Sequence, residues 1–356
     1  MTNGSRDDFE RHRLRVVAYL NAFLRDKRKT YARVNAWGAD ALDKLGPFAR
    51  TGKMLRSGMV SIGARIGGGR AAGAAVRAGA AVELIQAALL IHDDIIDRDE
   101  MRRGRPSIHH EYTLQGRALN SRDAVHFGEG MGICLADIAF FLAFEILSTL
   151  PVTPRARAEI LSLWSGELGL VGLAQMQDLF FGEASPRIRT GDIIRLYLYK
   201  TARYTFSVPL LTGAKLAGAP RGVQEKLDRL GETLGVLFQL KDDDLGLFGS
   251  EEELGKPVGS DVRECKQTLL AHFLFRGASP PQKRRLKEIF GNPRITPAQV
   301  DEVKEMVEIL GVRRRLLARI GRMRRRALVE IAALPAAGGA RRLLRELLEY
   351  SITRRK

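Results

Sequence analysis

The run Asp93-Asp94-Ile95-Ile96-Asp97, continued by Arg98-Asp99-Glu100-Met101-Arg102-Arg103-Gly104, closes an apolar stretch that begins at Ala80. On a helix Asp93 and Asp97 share one face, with about 6 Å of axial rise between them. Two hard oxygen donors so spaced suit magnesium, which also takes phosphate oxygens and keeps several waters. The same pattern alone is equally readable as a surface ion-pair patch, with Asp97 against a nearby arginine. A second run, Phe238-Gln239-Leu240-Lys241-Asp242-Asp243-Asp244, also ends an apolar stretch, and Gly235, Gln239, Asp242 and Gly246 share its stripe. Carboxylates from two helices facing one cavity would repel unless cations sat between them, which argues for metal.

Basic residues supply the other half of such chemistry. Gly52-Lys53-Met54-Leu55-Arg56, Arg102-Arg103, Lys200-Thr201, Gly255-Lys256 and Lys266 are separated clusters in helix-rich sequence. Lysine offers a point charge and arginine a forked donor, and both suit diphosphate. Each alone reads as a solvated surface charge; their value lies in combination. No Ser/His/Asp or Cys/His arrangement asks for another chemistry, and His92 reads as a packed neighbour of Asp93.

The elements that must position these residues are helices. Ala, Leu, Arg and Glu are abundant and alternating β-branched runs are scarce. Glu83, Gln86, Leu90, Asp93 and Asp97 form one stripe by three-and-four spacing, with Leu84, Ala88, Ile91 and Ile95 on another face. A helix so apolar is largely buried, and its aspartates need compensation by arginine or a divalent cation. Glycine and proline punctuate segments of helix length without a Gly/Ser linker or a solenoid period. The reading is one domain over residues 16–356, a loosely ordered segment over 1–15, and a loop-rich connection over 278–297.

The chain has 356 residues, 45% of them hydrophobic, enough for a sizeable core. No secretory signal is evident, and no stretch reads as a bilayer span, the best candidate being the short residues 135–147. Two cysteines, Cys134 and Cys265, make neither a disulfide framework nor a zinc site, and a reducing cytoplasm fits. The net charge is +17, and residues 313–356, with fourteen Lys or Arg against three Glu, hold +11 of it. Val312, Leu316, Ile320, Met323 and Ala327 lie at helical spacing there, so the arginines decorate an amphipathic helix. Such a face is solvated, or meets nucleic acid, an anionic membrane or small phosphates.

Taken together, these motifs resemble the trans-type prenyl diphosphate synthases, geranylgeranyl diphosphate synthases among them, from about Gly52 to the end of the chain. Asp93 to Gly104 is similar to their first aspartate-rich motif, DDxxD-x4-RRG. Gly52-Lys53-Met54-Leu55-Arg56 resembles GGKRxRP, with Thr51 for the first glycine and Ser57 for the proline. Ala174-Gln175-Met176-Gln177-Asp178 resembles GQxxD, with Ala174 for glycine, and Lys200-Thr201-Ala202 matches KTA. Phe238 to Asp243 resembles the second aspartate-rich motif, and residues 255–268 the lysine-bearing stretch after it. Gly246 stands where that second motif ends in aspartate.

The resemblance implies an all-α isoprenoid synthase fold, antiparallel helices around a deep central cavity, usually as a homodimer. It implies condensation of isopentenyl diphosphate with an allylic diphosphate, with about three magnesium ions. Asp93 and Asp97 would ligate two and Asp242 a third, with Asp94 and Asp243 supporting them and Gln239 near the metal waters. Arg102, Lys200, Lys256 and Lys266 would hold the allylic diphosphate; Lys53, Arg56, Gln86 and Arg103 would hold that of isopentenyl diphosphate. Carbonyls near Lys200 and Thr201, with Gln239, would face the developing cation, and Arg354-Arg355-Lys356 would close over the site. Ala88 and Leu89, small and moderate just before Asp93, imply a deep floor and a product of geranylgeranyl length or longer. A terpene cyclase would not need Lys53, Arg56 and Arg103. The Gly246 departure leaves an inactive or regulatory subunit as an alternative. A basic protein of nucleic acid has no recognition motif here and few aromatic residues. Peripheral membrane contact through the basic helix suits a lipid product.

Overall fold

The computed structural model describes residues 3–69, 71–184, 188–249, 258–335 and 338–353. Lys256 and the tail Arg354-Arg355-Lys356 lie outside the described residues. The fold is all-α, and the described strands are one two-residue pair. The chain groups into two compact units, Met1–Leu163 with Pro209–Gln224, and Trp164–Val208 with Glu225–Lys356.

The first unit contains α1 (Asn3–Tyr31), α2 (Ala36–Arg50), α3 (Leu55–Ile66), α4 (Ala72–Ile96), α5 (Ile108–Ala118), α6 (Ala124–Ser148) and the start of α7 (Pro154–Ala184). The segment expected to be loosely ordered is helical from Asn3 onward. His12, Val16, Leu20 and Leu24, four residues apart, make a buried stripe that the polar composition of the first fifteen residues concealed. α4 is apolar on every side and buried accordingly; Leu84, Ile85, Ala88 and Ile91 have no exposed surface. Burying each large side chain of this kind contributes roughly 1.5–3 kcal/mol. It packs against α1, α3 and α6. α5 lies so close on α6 that a Cβ at Gly128 would fall 2.4 Å from the carbonyl oxygen of His109, so only glycine fits there.

Two of these helices, α4 and α6, are long and apolar enough to cross a bilayer, which corrects the expectation that no segment is. The apolar window of α4 is 83% buried inside the protein. A helix at the centre of an all-helical core needs the same all-round apolarity as a lipid span. For α6 the buried share is 44%, and Ile133 and Phe141 are exposed. The expectation stopped short because it began the apolar stretch at Leu135, whereas the helix runs from Ala124 through three glycines.

In the second unit α7 continues, and α8 (Thr190–Tyr197) runs into a π-helical segment, Leu198–Ser207; α9 (Val208–Leu216) follows and, from Pro209 on, belongs to the first unit. Then come α10 (Arg221–Phe248), α11 (Ser260–Arg263), α12 (Leu269–Gly277), α13 (Pro280–Ile289), α14 (Pro297–Ile309), α15 (Val312–Ala332) and α16 (Gly338–Thr353). The stretch expected to be loop-rich therefore carries a ten-residue helix, α13. Its two prolines stand at the helix start, where a missing N–H does no harm, and Ser279 and Gln282 form a capping box.

Candidate active site

The first acidic cluster sits at the C-terminus of α4. Asp97 caps the helix, and Arg98 follows with φ +56°, the left-handed turn that ends many helices. The chain then folds back as a hairpin of β1 (Met101–Arg102) and β2 (Arg105–Pro106), paired Met101 to Pro106. Its two loop residues, Arg103 and Gly104, both have positive φ, as a tight two-residue hairpin turn requires. This reversal returns Arg102 to the aspartates. Arg102 Nε donates to Asp94 Oδ1 at 2.6 Å. Its Nη2 also pairs with Asp94 and lies 3.9 Å from Asp93 and 3.7 Å from Asp99.

The three aspartates of the motif thus divide by environment. Asp94 is fully buried, whereas Asp93 and Asp97 are half-buried. Burial pushes the Asp94 carboxyl up to about 7 against the pull of Arg102, and its Oδ2 has no hydrogen-bond partner. Among the described residues no three His, Cys, Asp or Glu side chains converge on one point. An ion held by Asp93 and Asp97 would need further ligands, and magnesium accepts phosphate oxygens and water in that role. The donor set, carboxylate oxygens beside guanidinium groups, fits a magnesium–diphosphate complex.

Arg103 turns to the segment before α3. Its guanidinium donates to the Thr51 carbonyl, and a Cβ on Gly52 would lie 3.0 Å from Arg103 Nη2. Gly52 has φ +128°, a conformation that favours glycine. Burial and the neighbouring Arg102 and Arg56 lower the pKa of Arg103, which identifies a concentrated positive patch. Exposed Lys53 and half-buried Arg56 flank the start of α3. Buried Glu83 accepts from the Ser57 N–H at 3.0 Å, and burial raises its pKa against Arg56 and Arg103. Gln86, nearly one turn on, has a buried Oε1 without a hydrogen-bond partner. An amide flip would present its NH2 there instead, a donor suited to phosphate. His92 packs on Phe140, with Nε2 3.7 Å from Asp137. Ala88 is buried in the core, whereas Leu89 is half-buried.

The second unit holds the remaining residues. Lys200 and Thr201 lie in the π-helical segment, a distortion frequent at functional sites. Lys200 pairs with Asp178 of α7. Three residues on, Arg203 donates to Glu167 at 2.9 Å, Glu232 at 2.5 Å and Asp228 at 3.4 Å, tying the segment to α7 and α10. The second acidic cluster repeats the division of the first. Asp242 is half-buried, while Asp243 and Asp244 are buried. Asp243 accepts from the Tyr197 hydroxyl and from Gln239 Nε2 at 3.2 Å, and Tyr197 Oη accepts from the Leu269 N–H at 2.7 Å. Burial pushes Asp243 up to about 8. Asp244 is held by Lys241 and by Arg313 of α15, each at 2.8 Å, and the Arg313 guanidinium lies 3.9 Å over the Phe248 ring.

Gly246 acquires a structural reason. A Cβ there would sit 2.8 Å from Asp261 Oδ2, so a carboxylate from the start of α11 occupies the space beside it. Asp261, Gly246, Asp243, Lys266 and Thr268 line a small cavity of about 20 Å³, room for one water. Lys266 pairs with Glu264 at 2.7 Å. Sequence reasoning assigned no role to Glu83, Tyr197, Arg203 or Asp261. Glu83 had a signal in its place on the stripe with Gln86 and Asp93. The other three depend on contacts with residues remote in sequence.

A model of the polyprenyl synthetase family matches residues 42–310. The chain is 35% identical over 222 residues to a short chain isoprenyl diphosphate synthase of Methanocaldococcus jannaschii, covering 62% of this chain and 61% of that one. It is 30% identical to a geranylgeranyl diphosphate synthase of Saccharolobus solfataricus, over 61% of each. The match thus spans about three fifths of these relatives' length. In structure it is similar to a geranylgeranyl pyrophosphate synthase of Corynebacterium glutamicum solved with isoprenyl diphosphate and magnesium. There the TM-score is 0.91 and the identity 29%, over 96% of this chain and 98% of the other. A geranylgeranyl pyrophosphate synthetase of Pyrococcus horikoshii aligns with TM-score 0.77 and 26% identity, over 98% and 99%.

Proposed function

Since the chain belongs to the polyprenyl synthetase family, we propose that it is a magnesium-dependent prenyltransferase. It condenses isopentenyl diphosphate with an allylic diphosphate, head to tail and trans, to a product of geranylgeranyl length or longer. The observation that carries the reading is the end of α4, where half-buried Asp93 and Asp97 stand one turn apart beside the Arg102–Arg103 hairpin. Asp242 enters the reading through the resemblance of its motif.

Magnesium, when bound, would supply charge neutralisation of the leaving diphosphate. Asp93, Asp97 and Asp242 hold that charge in place. Arg102 keeps buried Asp94 from competing as an uncompensated anion, and Lys200 and Lys266 offer donors to the allylic diphosphate. Lys53, Arg56, Gln86 and Arg103 orient the isopentenyl diphosphate. The allylic C–O bond breaks, and its electron pair leaves with the diphosphate. Carbonyls of the π-helical segment near Thr201, with Gln239, face the allylic cation. The isopentenyl double bond forms the new C–C bond, and the neighbouring proton passes to the released diphosphate. No dedicated protein base is needed.

Homodimer formation and a cytoplasmic setting complete the reading. Exposed Phe141 on α6 and exposed Met176 on α7 supply apolar surface for a second copy, and free Cys134 and Cys265 suit a reducing compartment. Ala88 packs in the core, so Leu89 is the better position at which to probe product length. Leu89→Phe should shorten the main product with little change in Tm, measured by chromatography of the dephosphorylated chains; an unchanged product distribution removes Leu89 from the floor.

The decisive assay incubates labelled isopentenyl diphosphate with each allylic primer, with and without magnesium. Magnesium-dependent incorporation into an acid-labile product is expected. Failure with every primer would leave a regulatory subunit, and hydrocarbon released from the allylic substrate alone would leave a cyclase.

A further inference from the structure

α15 carries eight arginines; seven fall into two groups, and the eighth, Arg319, is half-buried. Val312, Leu316, Ile320, Ala327 and Ile331 form its buried face. At the edges of that face Arg313 pairs with Asp244 and Glu308, Arg324 with Glu349, and Arg326 with Glu330. Those charges already have carboxylate partners within the chain. Arg314, Arg315, Arg322 and Arg325 are exposed, and no described carboxylate pairs with them. Arg315 reaches only the Leu310 carbonyl, at 3.2 Å.

By helical spacing, Arg314, Ala318, Arg322, Arg325 and Val329 share one face. Val329, at 70% exposed, lies four residues beyond Arg325, and Leu317, at 44%, borders the same strip. A purely solvated face has no need of a bare valine among its arginines, whereas a helix lying on a bilayer combines cationic and apolar side chains in this way.

We propose that this face of α15 docks on anionic phospholipid bilayers, with arginines at the headgroups and Val329 and Leu317 entering the interface. Lipid is favoured over nucleic acid because the exposed residues of the strip include no aromatic ring on which a base could stack. The surface stands apart from the catalytic reading. That reading adds a motive, since a long prenyl diphosphate is itself an amphiphile.

The test is sedimentation of the full chain with vesicles of phosphatidylcholine alone or mixed with phosphatidylglycerol, at low and moderate salt. Co-sedimentation with the anionic vesicles only, weakening as salt rises, is expected. Arg314→Gln/Arg322→Gln/Arg325→Gln should lower the partition coefficient roughly a hundredfold, at about fivefold per charge. It should leave Tm and isopentenyl diphosphate turnover unchanged. Leu317→Ser/Val329→Ser should weaken binding without changing its salt dependence. Equal recovery with neutral and anionic vesicles, no sedimentation at all, or a triple variant that sediments like the parent would overturn the proposal. So would retention on duplex DNA in salt that abolishes vesicle binding, which would reassign the face to nucleic acid. Loss of turnover in the parent chain would bear on the activity alone.

Discussion

The two acidic clusters present their carboxylates alike but compensate their buried members differently. In the first, half-buried Asp93 and Asp97 flank buried Asp94, which is matched by the permanent cation of Arg102. In the second, half-buried Asp242 precedes buried Asp243, whose donors among the described residues are the neutral Tyr197 and Gln239. Cations appear there one residue later, where Lys241 and Arg313 enclose Asp244. A buried carboxylate can thus be tolerated by an opposite charge or by keeping its proton, and the two routes respond differently to mutation and to pH.

The charge-compensated route should be the more fragile. Arg102→Met leaves Asp94 buried without its cation and should destabilise the fold by about 3–5 kcal/mol, with loss of isopentenyl diphosphate incorporation. Adding Asp94→Leu should recover most of the stability in denaturant titration but none of the turnover. A single variant as stable as the parent would show that Asp94 is already neutral and that the contrast is false. Next in size is Gly246→Asp, which restores the family pattern on paper. Its new side chain meets Asp261, so a loss of about 1–3 kcal/mol without gain in turnover is expected from overpacking. Unchanged Tm with faster turnover would show that Asp261 swings aside freely.

Tyr197→Phe removes the hydroxyl that donates to Asp243 and accepts from Leu269. A loss of about 1–3 kcal/mol is expected, with hydrogen exchange at the Leu269 amide as the local readout. The last prediction concerns pH. Asp243 keeps its proton in the folded chain up to about pH 8, whereas unfolded it ionises near its ordinary value. The folded state therefore binds more protons between about pH 4 and 8, and this group's contribution to stability falls as pH rises through that window. With metal chelated, Asp243→Asn should flatten that part of the Tm profile. A variant profile parallel to the parent's would assign the slope to other groups.

The regions also differ in how much could be read before folding. Asp93, Asp97 and Asp242 were legible because four-residue spacing and apolar flanks follow from helix geometry alone. Asp94 falls off the Asp93–Asp97 stripe, and Asp243 was set beside it as a supporting residue by the resemblance, whereas the burial of Asp244 was not legible. The hairpin that returns Arg102 to Asp94 was hidden, since its turn rests on two positive φ values at Arg103 and Gly104. The helix over Pro280–Ile289 was missed because two prolines read as a breaker, whereas Ser279 makes them a start. The helical start of the chain was missed because one apolar stripe in a polar segment has meaning only against a core that buries it.

Local spacing and side-chain chemistry by themselves determined that the chain is helical and which carboxylates and cations are candidates. Those properties are set within a turn or two of helix, so they are written in neighbouring residues. Tertiary structure decided which charges are satisfied internally: Arg102 on Asp94, Arg203 on Glu167, Arg313 on Asp244, Asp261 beside Gly246. Charge compensation in a low-dielectric interior depends on distances across the fold, and sequence separation does not set those distances.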